Sequence, residues 1–239
     1  MITVPSPNTN ERAGGIAPDI VVIHYTEMVS AKAAVDWLCN PVSKVSCHYL
    51  IGMDGDLVQM VDEDRRAWHA GISGWDGTRD INSRSIGIEL DSPGHQPDAP
   101  EFPEAQLAAL FALLGGIRTR WAIPKRNIVA HSDIAPARKI DPGERFPWAR
   151  LAAEGHAIHV PEPAAPLAYD EAALKRALAD GGYLVEEEAD RFPILVRGFH
   201  RRHLPRRVET PADGLTLAAA TAFAAAVAAE RDAESVPLV

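Results

Sequence analysis

The chain has 239 residues, of which 46% are apolar and 24% charged, a balance typical of a folded globular protein. Its formal net charge of −9 argues against a nucleic-acid-binding function, because such proteins usually present a net basic face. Only two cysteines are present, which excludes a disulfide-rich scaffold, and the longest apolar run (215–229) is shorter than the ~20 residues of a membrane-spanning helix.

Predicted strands and helices alternate over residues 1–159. The run Ile20–Tyr25 is continuously apolar and β-branched, which is typical of a strand buried on both faces. The further predicted elements are a helix over 31–39, a hairpin within 47–61 that turns at Asp54-Gly55, a strand over 85–90, a helix over 103–121 and a strand over 127–130. This order predicts an α/β fold with a mixed central β-sheet flanked by helices.

The proline-rich segment 160–169 is predicted to be an extended linker between a domain over 1–159 and a small three-helix domain over 170–239. The three helices are expected after an Asp170 cap, over Phe192–His203, and from a Thr216 cap to Glu230. Within this part, residues 191–207 contain six arginines and no acidic residue. Such a run indicates either a solvated helix face or a site for an anionic ligand.

Polar residues stand at the ends of three predicted strands: His24, Glu89 and His131, with Asp141 ten residues further on. Sites tend to form at strand ends, since the loops there are exposed while the scaffold is rigid. Two imidazoles and one carboxylate match the ligands of a catalytic zinc ion, which keeps its fourth position for water. His24 and His131 are far apart in sequence, so the pattern alone also fits two packed histidines and a surface aspartate.

Seven segments that follow one another along the chain carry a family resemblance: SPNTNER, IVVIHYT, VSCHYLIGMDG, AWHAGISGW, INSRSIGIEL, IVAHSDIAPARKIDPG and FPW. Together they resemble the zinc-dependent N-acetylmuramoyl-L-alanine amidases of the AmpD/AmiD-like branch, which are related to the peptidoglycan recognition proteins. The resemblance implies the fold of that family and one zinc ion per chain. It also implies hydrolysis of the amide bond between the lactyl group of N-acetylmuramic acid and L-alanine, in peptidoglycan or (anhydro-)muropeptides, during cell-wall turnover and recycling.

The resemblance assigns roles to five residues. His24, His131 and Asp141 fall on the zinc ligands. Glu89 falls on the catalytic acid-base residue, and Lys139 on the residue that stabilises developing negative charge. An alternative for Lys139 is a solvated lysine or a salt bridge to Asp141.

Six further residues are candidate substrate contacts: Tyr25, His48, Trp68, His69, Asn82 and Arg138. Trp68 could stack on a sugar ring, and Arg138 could pair with a carboxylate of the stem peptide. His48 and His69 could contact either the substrate or a metal ligand, and a packed polar side chain is an equal alternative for each. Asn82 could equally serve a turn.

The C-terminal segment is similar to the short peptidoglycan-binding domains of wall hydrolases, through GGY, FPILVRGFHRRHLP and PADGLTLAA. The alternative is a domain that only stabilises the catalytic part. The N-terminal residues show no secretory signal pattern, which predicts a cytoplasmic protein. A periplasmic or cell-envelope location by an unrecognised route is the alternative.

Two other functions stay open beside the amidase. One is a non-catalytic peptidoglycan-recognition protein, and the other is a zinc peptidase that acts on the stem peptide. In each case the expected partner is peptidoglycan or a muropeptide, with no nucleic acid and no membrane span.

Overall fold

The structure, a computed structural model, describes residues 1–186, 188 and 190–235. This part of the chain forms ten strands and eight α-helices. The strands are β1 (Ile2–Thr3), β2 (Thr9–Glu11), β3 (Ile20–Tyr25), β4 (Tyr49–Ile51), β5 (Leu57–Gln59), β6 (Arg65–Ala67), β7 (Gly74–Trp75), β8 (Thr78–Arg79), β9 (Ser85–Leu90) and β10 (Ile128–Ala130). The helices are α1 (Ala31–Leu38), α2 (Ile81–Arg84), α3 (Glu104–Trp121), α4 (His131–Ile134), α5 (Trp148–Ala153), α6 (Glu171–Asp180), α7 (Phe192–His203) and α8 (Gly214–Ser235).

The central sheet is mixed, as predicted, with the strand order β1-β5-β4-β9-β3-β10. The hairpin strands β4 and β5 pair antiparallel, and all other neighbours in this sheet pair in parallel. Strands β3 and β9 are adjacent inner strands of this sheet, in a register that sets His24 opposite Glu89. The strand ends that were predicted to carry chemistry therefore meet at one edge of the sheet.

Each face of the sheet packs against different helices because successive side chains of a strand point to opposite faces. Val21 and Ile23 of β3 belong to an apolar cluster with Leu110 and Leu114 of α3. Ile20 and Val22 of the same strand belong to another cluster, which includes residues of all three C-terminal helices. The continuous apolar run of β3 is explained by burial on both faces.

The predicted elements of the first part of the chain are found close to their expected bounds. The predicted helix over 103–121 is α3, and the predicted helix over 31–39 is α1, capped by the Ser30 side chain. The hairpin turns at the expected place, where Gly55 adopts a positive φ of 87°. A glycine suits this turn because its missing Cβ removes the strain of a left-handed backbone.

The C-terminal part forms the three predicted helices. The Asp170 side chain caps α6, and α7 has the predicted bounds. The predicted start of the third helix was wrong: α8 begins at Gly214, because Asp213 Oδ1 accepts from the backbone N–H groups of Leu215 (3.1 Å) and Thr216 (3.0 Å). Thr216 is inside the first turn.

These helices share one apolar cluster with the sheet. Leu195 and Phe199 of α7 and Phe223 of α8 are buried in the same cluster as Ile20 and Val129. The division into domains at 160–169 stays a prediction. None of the helices in the described ranges is both long enough and apolar enough to cross a membrane.

Candidate metal centre and its cleft

Three predicted ligands converge at the edge of the sheet. His24 is near the end of β3, and His131 follows directly after β10, which is the parallel neighbour of β3. The loop after α4 then returns Asp141 to the same place, and the backbone N–H of Ser132 donates to the Asp141 carbonyl (3.0 Å). Adjacent parallel strands thus bring together two histidines that are 107 positions apart.

The three side chains point one atom each at a common centre. The Nδ1 atoms of His24 and His131 are 2.9 Å apart, and Asp141 Oδ2 lies 2.9 Å from the first and 3.0 Å from the second. All three residues are buried, and within the described ranges they are the group whose geometry could hold a metal ion. Two imidazole nitrogens and one carboxylate oxygen fit a catalytic zinc set with one open position.

The electrostatics of this cluster favour metal binding. Burial, and then the nearby His131, lower the pKa of His24 to about 4. Although burial alone would have the opposite effect, the contacts with His131 and His24 hold the pKa of Asp141 well below its usual range. His24 is therefore neutral and Asp141 ionised at neutral pH, which are the protonation states that metal ligands need.

His69 contacts His24, a candidate metal ligand, on the side of its ring that faces away from the metal position. If Nδ1 of His24 faces the metal position, its Nε2–H donates to Nδ1 of His69 (3.0 Å). Nε2–H of His69 then donates to Ser85 Oγ (3.1 Å), whose hydroxyl donates to the Ile81 carbonyl (2.6 Å). Such partners fix the tautomer and ring orientation of a ligating histidine. A Cβ at Gly87 would lie 2.5 Å from the His69 ring, so only glycine leaves room for it.

His131, the second candidate histidine ligand, is held in a similar way. His131 Nε2 lies 3.3 Å from the Ala70 carbonyl, to which an Nε2–H can donate while Nδ1 stays free for a metal. Ala70 itself is held by Asn82, whose Oδ1 accepts from the backbone N–H groups of His69 (3.0 Å) and Ala70 (2.8 Å). Asn82 is buried and lies outside the cleft lining, so its visible role is to shape the segment that supports both ligands.

Glu89 lies beside the metal cluster. It pairs in register with His24 and lines the same cleft, and its Oε2 is shielded from water without a hydrogen-bond partner among the described residues. Burial, and then the Asp141 charge, raise the pKa of Glu89 to about 8. A carboxyl group with such a pKa can take up and release a proton near neutral pH, which suits general acid-base chemistry.

The cleft lining also includes His69 and four other predicted residues: Tyr25, Trp68, Arg138 and Lys139. Lys139 is exposed, and in the described parts of the chain it makes no salt bridge, so the alternative of a pair with Asp141 is not observed. Arg138 donates to the carbonyls of Ala70 (3.0 Å) and Ile72 (3.2 Å), so its guanidinium already ties down the wall of the cleft.

Tyr25 and Trp68 occupy different places in the cleft. Tyr25 is buried, and its hydroxyl has no partner among the described residues. Trp68 is half-buried, and its indole N–H donates to Asn10 Oδ1 (2.6 Å). A partly exposed indole held in this way leaves a ring edge or face for a ligand.

His48 is placed behind the cleft rather than in it. Its Nδ1 accepts from the backbone N–H of Gly87 (2.9 Å), so its Nε2–H can donate to the Arg65 carbonyl (3.1 Å). It is fully buried and absent from the cleft lining. Both ring nitrogens are satisfied by backbone, which is the contact pattern of a packed polar side chain.

Sequence reasoning missed an apolar rim on the cleft. Trp37 is 48% exposed and lines the cleft with Met28 and Val45. A signal was available, because Ala34 and Leu38 form the buried face of α1 and leave the tryptophan outside that face. A large exposed aromatic side chain on a short helix beside a predicted site points to contact with a ligand.

Comparisons with known proteins agree with this geometry. The family described as N-acetylmuramoyl-L-alanine amidase matches residues 14–144. The amidase AmiD of Escherichia coli K12 is 42% identical over 150 residues, 57% of this chain and 52% of that protein, so the match spans about half the length of this relative. The 1,6-anhydro-N-acetylmuramyl-L-alanine amidase AmpD of Citrobacter freundii is 35% identical over 167 residues, 63% of this chain and 87% of that protein.

Solved structures extend the likeness to the C-terminal helices. AmiD from E. coli, in complex with anhydro-N-acetylmuramic acid-L-Ala-D-γ-Glu-L-Lys, matches with a TM-score of 0.77 and 35% identity, over 90% of this chain and 92% of that one. AmpDh3 from Pseudomonas aeruginosa matches with a TM-score of 0.77 and 29% identity, over 93% and 98% of the two chains. The family match covers more than half of the sequence, and the fold and the cleft agree with it: this chain belongs to the N-acetylmuramoyl-L-alanine amidase family.

Proposed function

We propose that this chain is a zinc-dependent amidase. It would hydrolyse the bond between the lactyl group of N-acetylmuramic acid and L-alanine, in peptidoglycan or (anhydro-)muropeptides. The observation that carries the proposal is the convergence of His24, His131 and Asp141 on one point, with the shielded carboxyl of Glu89 beside them. The family match and the substrate named for the AmiD complex support this choice of bond.

His24, His131 and Asp141 would hold the zinc ion. When bound, zinc would supply Lewis acidity, which activates water and polarises a carbonyl group at neutral pH. Glu89 would accept the proton of the attacking water and deliver it to the amide nitrogen, which is a poor leaving group unless it is protonated. The ammonium group of Lys139 would face the negative charge that develops on the carbonyl oxygen.

The cleft suits a substrate with both sugar and peptide parts. Its volume of about 540 Å³ lies within the range of small-molecule ligand sites. Exposed apolar side chains form one wall, and polar groups surround the metal position. The Trp68 and Trp37 rings offer surfaces for a sugar, because aromatic rings bury large apolar area at little cost in side-chain entropy.

The compartment, the peptidoglycan-binding role of the C-terminal helices and the size of the natural substrate stay predictions. The cytoplasmic location and the periplasmic alternative lead to different substrates. A cytoplasmic enzyme would meet soluble anhydro-muropeptides, whereas an exported one would meet the polymer.

Mass spectrometry of the products from a defined muropeptide, with and without a chelator, tests the proposal. We expect a free stem peptide that begins at L-alanine, lost with the chelator and restored by zinc. Intact substrate in the presence of zinc would favour the non-catalytic recognition protein. Cleavage inside the stem would favour the zinc peptidase.

A further inference from the structure

A buried carboxylate lies next to the metal centre without facing it. Asp133 belongs to the one-turn helix α4, two residues after His131, and its side chain is fully buried. It makes three hydrogen bonds. Asp133 Oδ2 accepts from the backbone N–H of Ala130 (2.8 Å) and from Arg202 Nη1 (2.7 Å), and Oδ1 accepts from the Tyr183 hydroxyl (2.9 Å).

Two of these three donors come from the C-terminal part. Tyr183 follows α6, and Arg202 is near the end of α7. Of the six arginines in segment 191–207, Arg202 is the fully buried one, which corrects the interpretation of the whole run as either a solvated face or a ligand site. Its guanidinium also donates to the carbonyls of Ile128 (3.2 Å) and Ile158 (3.1 Å).

The Arg202 guanidinium is held in a single arrangement. Its central carbon lies 4.0 Å from the centre of the Trp148 ring, a distance that favours a cation–π interaction. Neither Arg202 nor Asp133 has access to water, and an ionised group without its partner is strongly unfavourable there. Each of the two side chains therefore requires the other in place.

The helix that carries Asp133 also sets two of the metal ligands. Ala130 and His131 are consecutive, so the bond from Asp133 to the Ala130 N–H fixes the backbone immediately before a ligand. The N–H of Ser132 donates to the carbonyl of Asp141 (3.0 Å), which ties another ligand to the same turn. A shift of α4 would move both His131 and Asp141.

Helix α7 touches this turn directly. A Cβ at Gly198 would lie 2.9 Å from the Ser132 carbonyl oxygen and 2.8 Å from Pro136 Cβ. Only glycine permits so close an approach of the two backbones. The contact through Gly198 is separate from the Asp133–Arg202 pair and leads to the same helix.

We propose that Arg202, assisted by Tyr183, is a positioning residue for the metal centre: the C-terminal helices hold α4 in place and thereby set the affinity for zinc. This inference rests on the zinc site of the proposed function. It gives the C-terminal part a role in the catalytic domain that does not depend on whether it binds peptidoglycan.

Zinc affinity, measured on the full chain by competition with a chromophoric chelator, tests this role. We expect Arg202→Met to weaken zinc binding about 10-fold, the lower end of the effect of losing a direct partner of a metal ligand, because Arg202 acts through Asp133. Tyr183→Phe, which removes one hydrogen bond and preserves the ring, should weaken it less. The matched control is Arg231→Met, which removes an exposed ion pair with Asp76 (2.7 Å) between the same two parts of the chain. This control should bind zinc as the parent does.

The absorption spectrum of the cobalt-substituted protein separates positioning from general stability. A protein that is only less stable keeps the parental cobalt spectrum below its melting temperature, whereas displaced ligands change its bands. We expect changed bands for Arg202→Met and the parental spectrum for Arg231→Met. If Arg202→Met does not fold, Tyr183→Phe decides by the same two measurements.

The possible results separate this inference from the function it rests on. Parental zinc affinity and cobalt spectra in the folded variants would overturn the positioning role and leave the zinc site intact. Failure of the parent and of Arg231→Met to bind zinc would instead overturn the proposed metal site. Weakened binding in the variants, with an unchanged control, would support the inference.

Discussion

Two buried polar clusters lie within a few residues of each other around His131, and they differ in how their polar atoms are satisfied. In the metal cluster, Glu89 Oε2 lacks a protein partner among the described residues, and three ligand atoms crowd one point. In the neighbouring cluster, both oxygens of Asp133 accept hydrogen bonds from three donors, one of which is Arg202, while Arg202 Nε has no partner among the described residues. Because a buried carboxyl oxygen that faces a cleft is costly to leave unpaired, the Glu89 arrangement indicates a place for a ligand, while the fully paired carboxylate of Asp133 indicates a structural role.

The largest expected effect comes from a substitution of Glu89, whose shielded carboxyl group lies beside the metal cluster. Glu89→Gln keeps the shape and removes the proton acceptor, so turnover should fall about 100- to 10,000-fold while zinc content is retained. Steady-state kinetics on a defined muropeptide, together with metal analysis, check both parts. The exposed Glu162→Gln serves as the matched control. Near-parental rates in Glu89→Gln would remove this residue from the mechanism.

Lys139 comes next, as a cation at the mouth of the same cluster. Lys139→Met should lower kcat about 100- to 1000-fold, the typical cost of losing one donor to a developing oxyanion. KM should change much less, because the charge develops in the transition state. The exposed Lys125→Met is the control for loss of one positive charge. An equal loss in both variants would mean that Lys139 acts only through the overall charge.

His69 should produce a smaller change, in metal affinity. His69→Phe keeps a ring in the space above Gly87 but cannot accept from His24, so zinc binding should weaken about 10- to 100-fold. Chelator competition measures this effect, with His156→Phe as a control outside the cleft lining. Unchanged affinity would leave His69 as a candidate substrate contact, since it also lines the cleft.

The smallest expected effect concerns His203. Unlike Glu89, which faces the cleft, and Asp133, which is fully paired, it is a polar group buried among aromatic rings. Its ring packs between Phe199 and Phe223 and has no hydrogen bond among the described residues. Burial, and then Arg202, with further contributions from His159 and His200, hold its pKa well below the usual range. The unfolded chain therefore binds a proton below pH ~6.5 that the folded chain does not, and stability falls as the pH is lowered.

Replacing His203 removes its share of this acid sensitivity. Between pH 7 and 5, His203→Phe should lose up to about 2 kcal/mol less unfolding free energy than the parent. Urea unfolding of the metal-free proteins at the two pH values gives the difference. Other buried histidines, such as His48 with its pKa lowered to about 3, contribute equally to both proteins and cancel. If the unfolding free energies of the two proteins depend on pH in the same way, the pKa of His203 is not lowered by folding.

Much of the fold could be predicted because its signals are local. The apolar run of β3, the spacing of α3 and the Asp54-Gly55 turn each reflect burial or backbone geometry within a few residues. The start of α8 was mispredicted since two capping residues, Asp213 and Thr216, compete within one turn. Asp213 caps the helix, and the Thr216 hydroxyl instead contacts both Asp213 Oδ1 (3.1 Å) and Nε2 of the buried His200 (2.9 Å).

The sequence motifs were sufficient to identify the candidate metal ligands and Glu89, but they were not sufficient to identify which other residues face the cleft. The three candidate metal ligands and Glu89 lie close together, because parallel pairing of β3 with β9 and β10 aligns the ends of these strands. The substrate-contact role of the six candidate residues stays a prediction. Four of them line the cleft, while His48 and Asn82 lie behind it. The local sequence places these residues near the site. Whether a side chain faces the cleft or is buried behind it depends on how the surrounding elements pack.

The sequence by itself determined the main strands and helices, the mixed sheet and, through its motifs, the candidate residues for one metal site. Only the tertiary structure decided which buried polar groups have hydrogen-bond partners in the protein and which have none. In the folded chain, His69 forms a hydrogen bond with His24, and Arg202 forms an ion pair with Asp133, 69 positions away in the sequence. The physical reason is that burial and hydrogen bonding between distant residues depend on how whole elements pack, and no local pattern encodes that contact.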